Sequence, residues 1–539
     1  MANPPTAAAE PGLLDLTNTP TLPWWKDQGL RKLIFWQTCI LAAQITVGYD
    51  EVIVGSFQAL QPWQDGKLPL LCPSSLMSLN TCTAMGNPSP ENLGLITCMV
   101  FIGGFFGALI AAAPADRYGR RFAIQIGSFL GVVGSIMQAA SPNRSVFIGG
   151  RAVLGVGLSF TTTAGPNLLT ELAHPRLRGK MASMFNVLWY LGSIIASWLT
   201  FGTGHLSTSW SWRIPSIVQA TFPFLLMIAT FFIPESPRWL CSRGRQHEAK
   251  EFLVKYHANG NESDPVIELE MHEIATALNL EEQSKMYTWS NLLKSKANRR
   301  RLGICLSVSV LTLWNGQGVI SYYFSPILDS VGITDTTQQT GINGGMAIWN
   351  LICSVTGAFL ADKLGRRRLW LISFIGMIFA NVPLTITSAM YANHGSQAAA
   401  YGTVVFLFLY NAAFNIACNP LLYCYTPEIL PYSIRSKGLA LQVLSSQVML
   451  TVNQYVNPIA LERIGYYYFI FYLGMLFLGL ALIYFTFPET KGYSLEELGM
   501  LFDDGFDVRP SILHGKDVEN TSHVAQDDAR KDDVKILES

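Results

Sequence analysis

Two charged residues of this 539-residue chain stand where charge is expensive. Asp50 interrupts the apolar run 33–60, and Arg151 interrupts the apolar run 146–171. A carboxylate inside such a run marks function by default, and a guanidinium on a neighbouring run is its natural partner. Its protonation depends on burial and on the distance to that guanidinium, so a movement separating the two can switch it. Glu51 places a second carboxylate at the very next position. The remaining chemistry inside the apolar runs is uncharged: asparagine and glutamine amides with tyrosine and tryptophan rings. Amides donate and accept hydrogen bonds without charge, and aromatic faces cover apolar surface.

A third set of charges is repeated. Asp116-Arg117-Tyr118-Gly119-Arg120-Arg121 recurs 246 residues later as Asp362-Lys363-Leu364-Gly365-Arg366-Arg367. Glu171 stands seven positions before Arg178, as Glu428 does before Arg435, and each pair encloses a proline, Pro175 or Pro431. Pro234-Glu235-Ser236-Pro237-Arg238 closes the first half, and Pro488-Glu489-Thr490-Lys491 closes the second. Carboxylates and guanidinium groups at helix ends pair across neighbouring helices in one state and part in another. Asp116, Arg117, Arg120, Glu171, Arg178, Glu235, Asp362, Arg366, Glu428, Arg435 and Glu489 are therefore read as a cytoplasmic gate. Gly119 and Gly365 allow the tight reversal between consecutive spans.

The elements positioning these residues are apolar blocks. Hydrophobic residues make up 50% of the chain and charged residues 14%, against about 25% charged in an average soluble domain. The apolar residues are grouped in blocks of about 20, long enough to cross about 30 Å of hydrocarbon as helix. The blocks predict spans at 33–60, 93–114, 122–140, 146–171, 180–202, 214–233, 301–328, 340–361, 368–391, 399–425, 436–460 and 466–487. The expected fold class is an all-α membrane protein with twelve transmembrane helices in two pseudo-symmetric six-helix halves. The expected division is a cytoplasmic tail 1–32, a first half 33–233, a cytoplasmic linker 234–300 with short helices, a second half 301–487 and a cytoplasmic tail 488–539. Lysine and arginine concentrate in the loops holding Arg117, Arg120, Arg176, Arg178, Lys363, Arg366, Arg435 and Lys437, which places those loops and both termini in the cytoplasm. Residues 66–89 read either as a lid enlarging the first outer loop or as a translated intron, and Cys72 and Cys82 within them are able to form a disulfide.

The ordered set of motifs resembles the sugar porter family of the major facilitator superfamily. It comprises GYD at Gly48–Asp50, DRYGRR, RAVLGVG at 151–157, PESPRWL at 234–240, ISYYFSP at 320–326, DKLGRR, and PETKGYSLEELGMLF at 488–502. WNGQGVISYY at 314–323 and NQYVNPIAL at 453–461 are similar to fungal members of the lactose permease and cellodextrin transporter branch. The resemblance implies a major facilitator fold, alternating access of a sugar, and a proton-coupling role for Asp50 and Arg151. By motif position it implies substrate contacts at Asn186, Asn350 and Tyr423. Asn186 stands where the family usually has glutamine, and Tyr423 stands where it has tryptophan. Thr312 and Leu313 replace the paired glutamines of the seventh span, Gly318 replaces an asparagine, and Ser446 replaces another. Asn315, Gln317 and Asn453 are the amides available instead. These departures shift the expected substrate from a plain hexose toward a disaccharide-like solute, a polyol or another hydroxylated molecule. Glu51 departs from the small residue usual beside the aspartate.

Other chemistries find no support. The nine cysteines lack CxxC spacing and histidine companions, so neither a metal site nor a cofactor is expected. The Gly103-Gly104 and Gly155-x-Gly157 runs lack the strand-turn-helix setting of a phosphate loop and read as close helix contacts. No Ser-His-Asp or Cys-His arrangement is present, so no enzyme is expected. The formal net charge of zero gives no field for nucleic acid. The expected partners are a sugar-like small molecule, protons and the lipid bilayer, with the chain monomeric in a plasma membrane. An exporter of a small metabolite, or a sugar receptor that does not transport, are the alternatives on the same scaffold.

Overall fold

The computed structural model describes residues 25–65, 88–285, 289, 291–491 and 502, and their regular structure is helical. The first six long helices are α1 (Gln28–Phe57), α2 (Pro90–Tyr118), α3 (Arg120–Ala139), α4 (Arg144–Leu172), α5 (Pro175–Thr203) and α6 (Trp210–Thr230). The segment that follows holds α7 (Pro237–Ser242), α8 (Gln246–Tyr256) and α9 (Pro265–Lys285). The second set is α10 (Lys296–Leu313), α11 (Gln317–Tyr322), α12 (Phe324–Ser330), α13 (Thr336–Leu364), α14 (Arg366–His394), α15 (Gln397–Ile429), α16 (Tyr432–Ile464) and α17 (Tyr467–Thr486). With α10 to α12 forming one crossing, these helices make the twelve spans of a major facilitator fold. Cys72, Cys82 and the tail beyond 502 lie outside the described residues.

Ten of these helices are long and apolar enough to cross a membrane. The two crossings outside that set, α10 to α12 and α16, carry polar residues on their inner faces: Asn315, Asn453, Gln454 and Asn457 are all buried. Position in the bundle follows the same logic. The apolar stretch of α1 is 78% buried, whereas that of α17 is 28% buried, so α1 is an inner helix and α17 lies at the periphery of the bundle. Phe379, 75% exposed on α14, likewise faces outward from the bundle. A groove of about 340 Å³ between α14 and α15, lined by Gly376, Phe379, Phe406 and Leu409, opens on that outer face and holds no charged group.

The seventh span corrects the sequence reading. A continuous helix over 301–328 is expected, but the chain breaks at Trp314–Gly316 and again at Tyr323. Gly316 adopts a left-handed φ of 101°, and the Asn315 side chain accepts from the Gln317 backbone N–H at 2.9 Å. That bond closes a local turn ahead of the new helix, at Gln317, where apolar periodicity alone suggests continuation.

The repeated glycines close the turns as their type requires. Gly119 and Gly365 have φ of 109° and 93°. Beside each turn a glutamate from the end of the same half receives the first N–H groups of the next helix. Glu235 accepts from Arg121 N at 3.3 Å, while Glu489 accepts from Arg366 N at 2.7 Å and Arg367 N at 3.2 Å. A negative group is stabilised at a helix N-terminus by these donors and by the helix dipole. Burial pushes Glu235 above the ordinary carboxylate range, and the N–H groups of Ser236 and Arg121 oppose that rise.

The segment between the halves is fastened to the first one. Asn259 accepts from Gly29 N at 2.8 Å and donates to Asp27 at 2.8 Å, at the start of α1. His257 pairs with Glu270 at 2.8 Å through Nδ1, and its Nε2 meets the Leu172 carbonyl at 3.2 Å. The His174 ring lies 5.1 Å from that of His257. Burial, reinforced by His257, lowers His174 from 6.5 to about 4. The folded chain thus holds this ring neutral. Its contribution is present above the ordinary histidine pKa and is lost as pH falls from about 6.5 toward about 4. Thermal melting of the purified protein is expected to drop between pH 7 and pH 5, with a smaller drop in His174→Gln; equal drops would count against this assignment.

Candidate functional site

The buried ion pair forms where α1, α4 and α6 meet. Arg151 Nη1 lies 2.9 Å from Asp50 Oδ1, and Nη2 lies 3.5 Å from Oδ2. Gln219 Nε2 donates to the same Asp50 Oδ1 at 2.7 Å. Relative exposures of 0% for Asp50, 1% for Arg151 and 0% for Gln219 show that the cluster is sealed within the first half. Tyr49 anchors its α1 side by donating to the Pro215 carbonyl at 2.8 Å. Arg151 Nε and Gln219 Oε1 are buried without a hydrogen bond among the described residues. Polar groups left incompletely satisfied in a dry interior are costly. The cluster is held by its charge pair while retaining hydrogen-bonding capacity for a second arrangement.

A second, uncharged cluster joins the two halves. Tyr190 on α5 donates to Asn415 Oδ1 on α15 at 2.6 Å, and Asn419 donates to the Tyr190 hydroxyl. Asn415 Nδ2 donates in turn to Asn350 Oδ1 on α13 at 3.0 Å. On the same face of α15, Asn411 Oδ1 accepts from Gln317 Nε2 at 2.7 Å, and Gln317 also donates to Ser321 at 2.8 Å. Asn411, Asn415 and Asn419 are spaced four apart, one helical turn each, so their amides form a ladder along α15. At its edge, Gln317 Oε1 and Asn315 Nδ2 are buried without partners among the described residues.

The candidates named from sequence separate into different environments. Asn350 and Gln317 join the ladder. Asn186 is half-buried with no side-chain partner among the described residues, one turn before Tyr190 on α5. Asn315 accepts from the Gln317 backbone N–H through its side-chain oxygen, just ahead of α11. Asn453 lies apart: it donates to Tyr472 at 3.1 Å and accepts from Asn457 at 2.8 Å, and both Tyr468 and Tyr472 donate to Asn457. Gly318 is glycine for a steric reason, since a Cβ there would lie 2.5 Å from Asn453 Oδ1. The side chain of Tyr423 is outside the described set. Sequence reading missed Tyr190, Gln219 and the α15 ladder, although the four-residue spacing of Asn411, Asn415 and Asn419 is visible in NAAFNIACN at 411–419.

At the repeated turns, the charges pair in the same way in each half. Arg120 contacts Asp116 at 3.1 Å and Glu171 at 3.4 Å; Arg366 contacts Glu428 at 3.2 Å. Thr490 also donates to Glu428 at 2.5 Å. Each of these pairs lies inside one half. Arg117 stacks over Tyr118 with 5.4 Å to the ring centroid, and Arg435 Nε donates to the Leu430 carbonyl at 3.1 Å. The Asp362 side chain lies outside the described set, and Arg178 is exposed. At the opposite end the halves touch directly: Gln58 donates to the Tyr322 carbonyl at 2.9 Å, Thr336 to Ala59 at 3.0 Å and Asn343 to Ser56 at 2.9 Å. That end is closed in this structure.

Residues 36–502 match the family model described as "Sugar (and other) transporter". Among curated proteins, the chain is 28% identical to the MFS-type transporter oryC of Aspergillus oryzae over 493 residues, covering 90% of this chain and 87% of that one. It is 28% identical to the high-affinity glucose transporter 1 of Candida albicans over 435 residues, covering 78% and 79%. Among solved structures it is similar to the inward-open conformation of the xylose transporter XylE from E. coli, with a TM-score of 0.69, 21% identity, and coverage of 87% of this chain and 99% of that one.

Proposed function

The chain belongs to the sugar transporter family of major facilitator proteins, and on that premise we propose that it carries a hexose or disaccharide-like sugar by proton-coupled alternating access. As a member of this family it is a multi-pass membrane transporter rather than an enzyme. The observation that carries the sugar reading is the uncharged network of Tyr190, Asn350, Asn411, Asn415 and Gln317 bridging the halves. Sugar hydroxyls replace such amide–tyrosine bonds one for one, so occupancy by substrate and separation of the halves become linked. Asn186, half-buried one turn away, is a further contact.

Proton coupling is assigned to Asp50 and Arg151. Protonation of Asp50 removes half of the pair, frees Arg151 to turn toward other acceptors, and thereby lets α1, α4 and α6 rearrange. The charged turns act as the inner gate, with Arg120 beside Asp116 and Glu171 in one half and Arg366 beside Glu428 in the other. Basic turns, both termini and the linker are placed in the cytoplasm by their charge. The working unit is a monomer in the plasma membrane, with halves 33–233 and 301–487 joined by 234–300.

The test is uptake of labelled glucose, lactose and cellobiose in a yeast strain lacking its own sugar carriers, with and without a protonophore. Wild type is expected to accumulate at least one sugar and to lose accumulation with the protonophore. Asn415→Ala removes bonds to Tyr190, Asn350 and the Asn411 carbonyl at about 1–3 kcal/mol for a buried polar loss, so its apparent KM is expected to rise about tenfold. Surface-expressed protein that moves none of these sugars would overturn the sugar reading. Uptake indifferent to the protonophore would overturn the coupling.

A further inference from the structure

Glu51 follows Asp50 on α1, and a one-residue step turns the helix by about 100°, so the two carboxylates point in different directions. Asp50 turns inward to α4 and α6. Glu51 turns toward α5 and the second half. Its Oε2 accepts from the indole Nε1 of Trp189 at 3.0 Å, and the hydroxyl of Tyr322, at the end of α11, faces the same carboxyl group. Tyr322 is itself a junction of the closed end. Its carbonyl accepts from Gln58 at 2.9 Å, and its ring meets that of Phe101 edge-on at 5.9 Å.

The charge around Glu51 does not balance. The groups facing it are Asp50 on its own helix, Arg151 from α4 and Tyr322 from α11, while α5 offers only the neutral indole of Trp189. Arg151 is already engaged by Asp50 at 2.9 Å. Two carboxylates therefore share one guanidinium, and the donors to Glu51 are neutral. Glu51 is half-buried, whereas Asp50 is fully enclosed, so of the two acids Glu51 is the one within reach of water.

We propose that Glu51 is a second proton-binding carboxyl of the transport cycle, gated by Tyr322. With the outer end closed, Trp189 and Tyr322 donate to the carboxylate. When that end opens, α11 moves with the second half and withdraws Tyr322. The carboxylate then takes a proton from the outer water, forming an O–H bond. Reclosure restores the Tyr322 donor and releases the proton to the inner cavity. Glu51 thus ties the proton to the position of the gate, which the sealed Asp50 pair cannot sense directly. This inference rests on the alternating-access reading, and its test does not require the sugar reading.

Difference infrared spectra of the purified full chain in lipid nanodiscs, recorded between about pH 8 and about pH 5, report protonated carboxyl groups directly. Glu51→Gln is expected to delete one carboxyl band that Asp50→Asn retains, and Tyr322→Phe is expected to shift the midpoint of that band. Glu51→Asp, which keeps the acid but shortens its reach to Trp189, is expected to move the band and serves if the glutamine variant does not fold. In cells, Glu51→Gln is expected to flatten the pH profile of glucose uptake with less than about a twofold change in apparent KM. Carboxyl bands in Glu51→Gln and Glu51→Asp that match wild type would overturn the proposal. Absent glucose uptake with the band present would instead count against the sugar assignment alone.

Discussion

Asp50→Leu is expected to be the most damaging single substitution in the buried pair, worse than Arg151→Leu, although each removes one partner of the same 2.9 Å bond. The asymmetry comes from the chemistry of the residue left behind. Without Arg151, Asp50 sheds its charge by taking a proton, as buried carboxylates do. Without Asp50, the guanidinium stays charged at any working pH and cannot escape in that way. Removing the close partner of a buried charge costs about 3–5 kcal/mol, a large part of the about 5–15 kcal/mol that holds a typical protein folded. Asp50→Leu is therefore expected to reach the surface in small amounts and to melt early after purification. Arg151→Leu is expected to fold, to lose concentrative uptake, and to equilibrate sugar without response to a protonophore. Fluorescence-detected size exclusion and uptake on the same variants check both halves of the claim. Equal losses of folded protein in the two would mean that the pair stabilises the bundle in some other way.

Gly48→Val is expected to have the second largest effect, although it touches no charge. A Cβ at Gly48 would collide with the Trp189 carbonyl oxygen and lie 2.6 Å from its carbonyl carbon. The contact is reciprocal, because a Cβ at Gly192 would collide with the Ile45 carbonyl and lie 2.7 Å from Tyr49 N. Both obstacles are backbone, so no side-chain rotation relieves them. Overpacking of this kind costs about 1–3 kcal/mol or more, and Val adds two further carbons to the clash. Separation of α1 from α5 also carries Trp189 away from Glu51. Loss of both folded protein and transport is expected, with Gly48→Ala intermediate. Gly202→Ala, where a Cβ meets nothing within 4 Å, is the control expected to behave as wild type.

The two cases differ in how far they are legible from the chain alone. Asp50 and Arg151 stand out because a charge is costly in an apolar run and is kept there for a purpose, and pairing them needs only that α1 and α4 be neighbours. Gly48 carries no such signal, since glycine recurs throughout the membrane helices. Gln219 is equally quiet: one amide among several, until α6 brings it 2.7 Å from Asp50. The α15 asparagines lie between these extremes. Their spacing marks a polar helix face, but their partners Tyr190 and Gln317 come from two other helices.

Read by itself, the sequence determined the helical membrane architecture, the twelvefold count, the internal repeat and the residues bearing charge in the interior. These follow from local rules: apolar length against bilayer thickness, loop charge, and motifs repeated in order. Tertiary structure alone decided which polar groups meet. It broke the seventh span at Gly316, turned Glu235 and Glu489 into caps on α3 and α14, and withdrew Asn453 into a tyrosine cluster on α17. It also sent Asp50 and Glu51, adjacent in the chain, to separate environments. The physical reason is that an inward-facing amide or acid on a membrane helix has several helices within reach. Which of them supplies the hydrogen bond depends on helix approach and rotation, set by contacts such as Gly48 against Trp189 that no local pattern encodes.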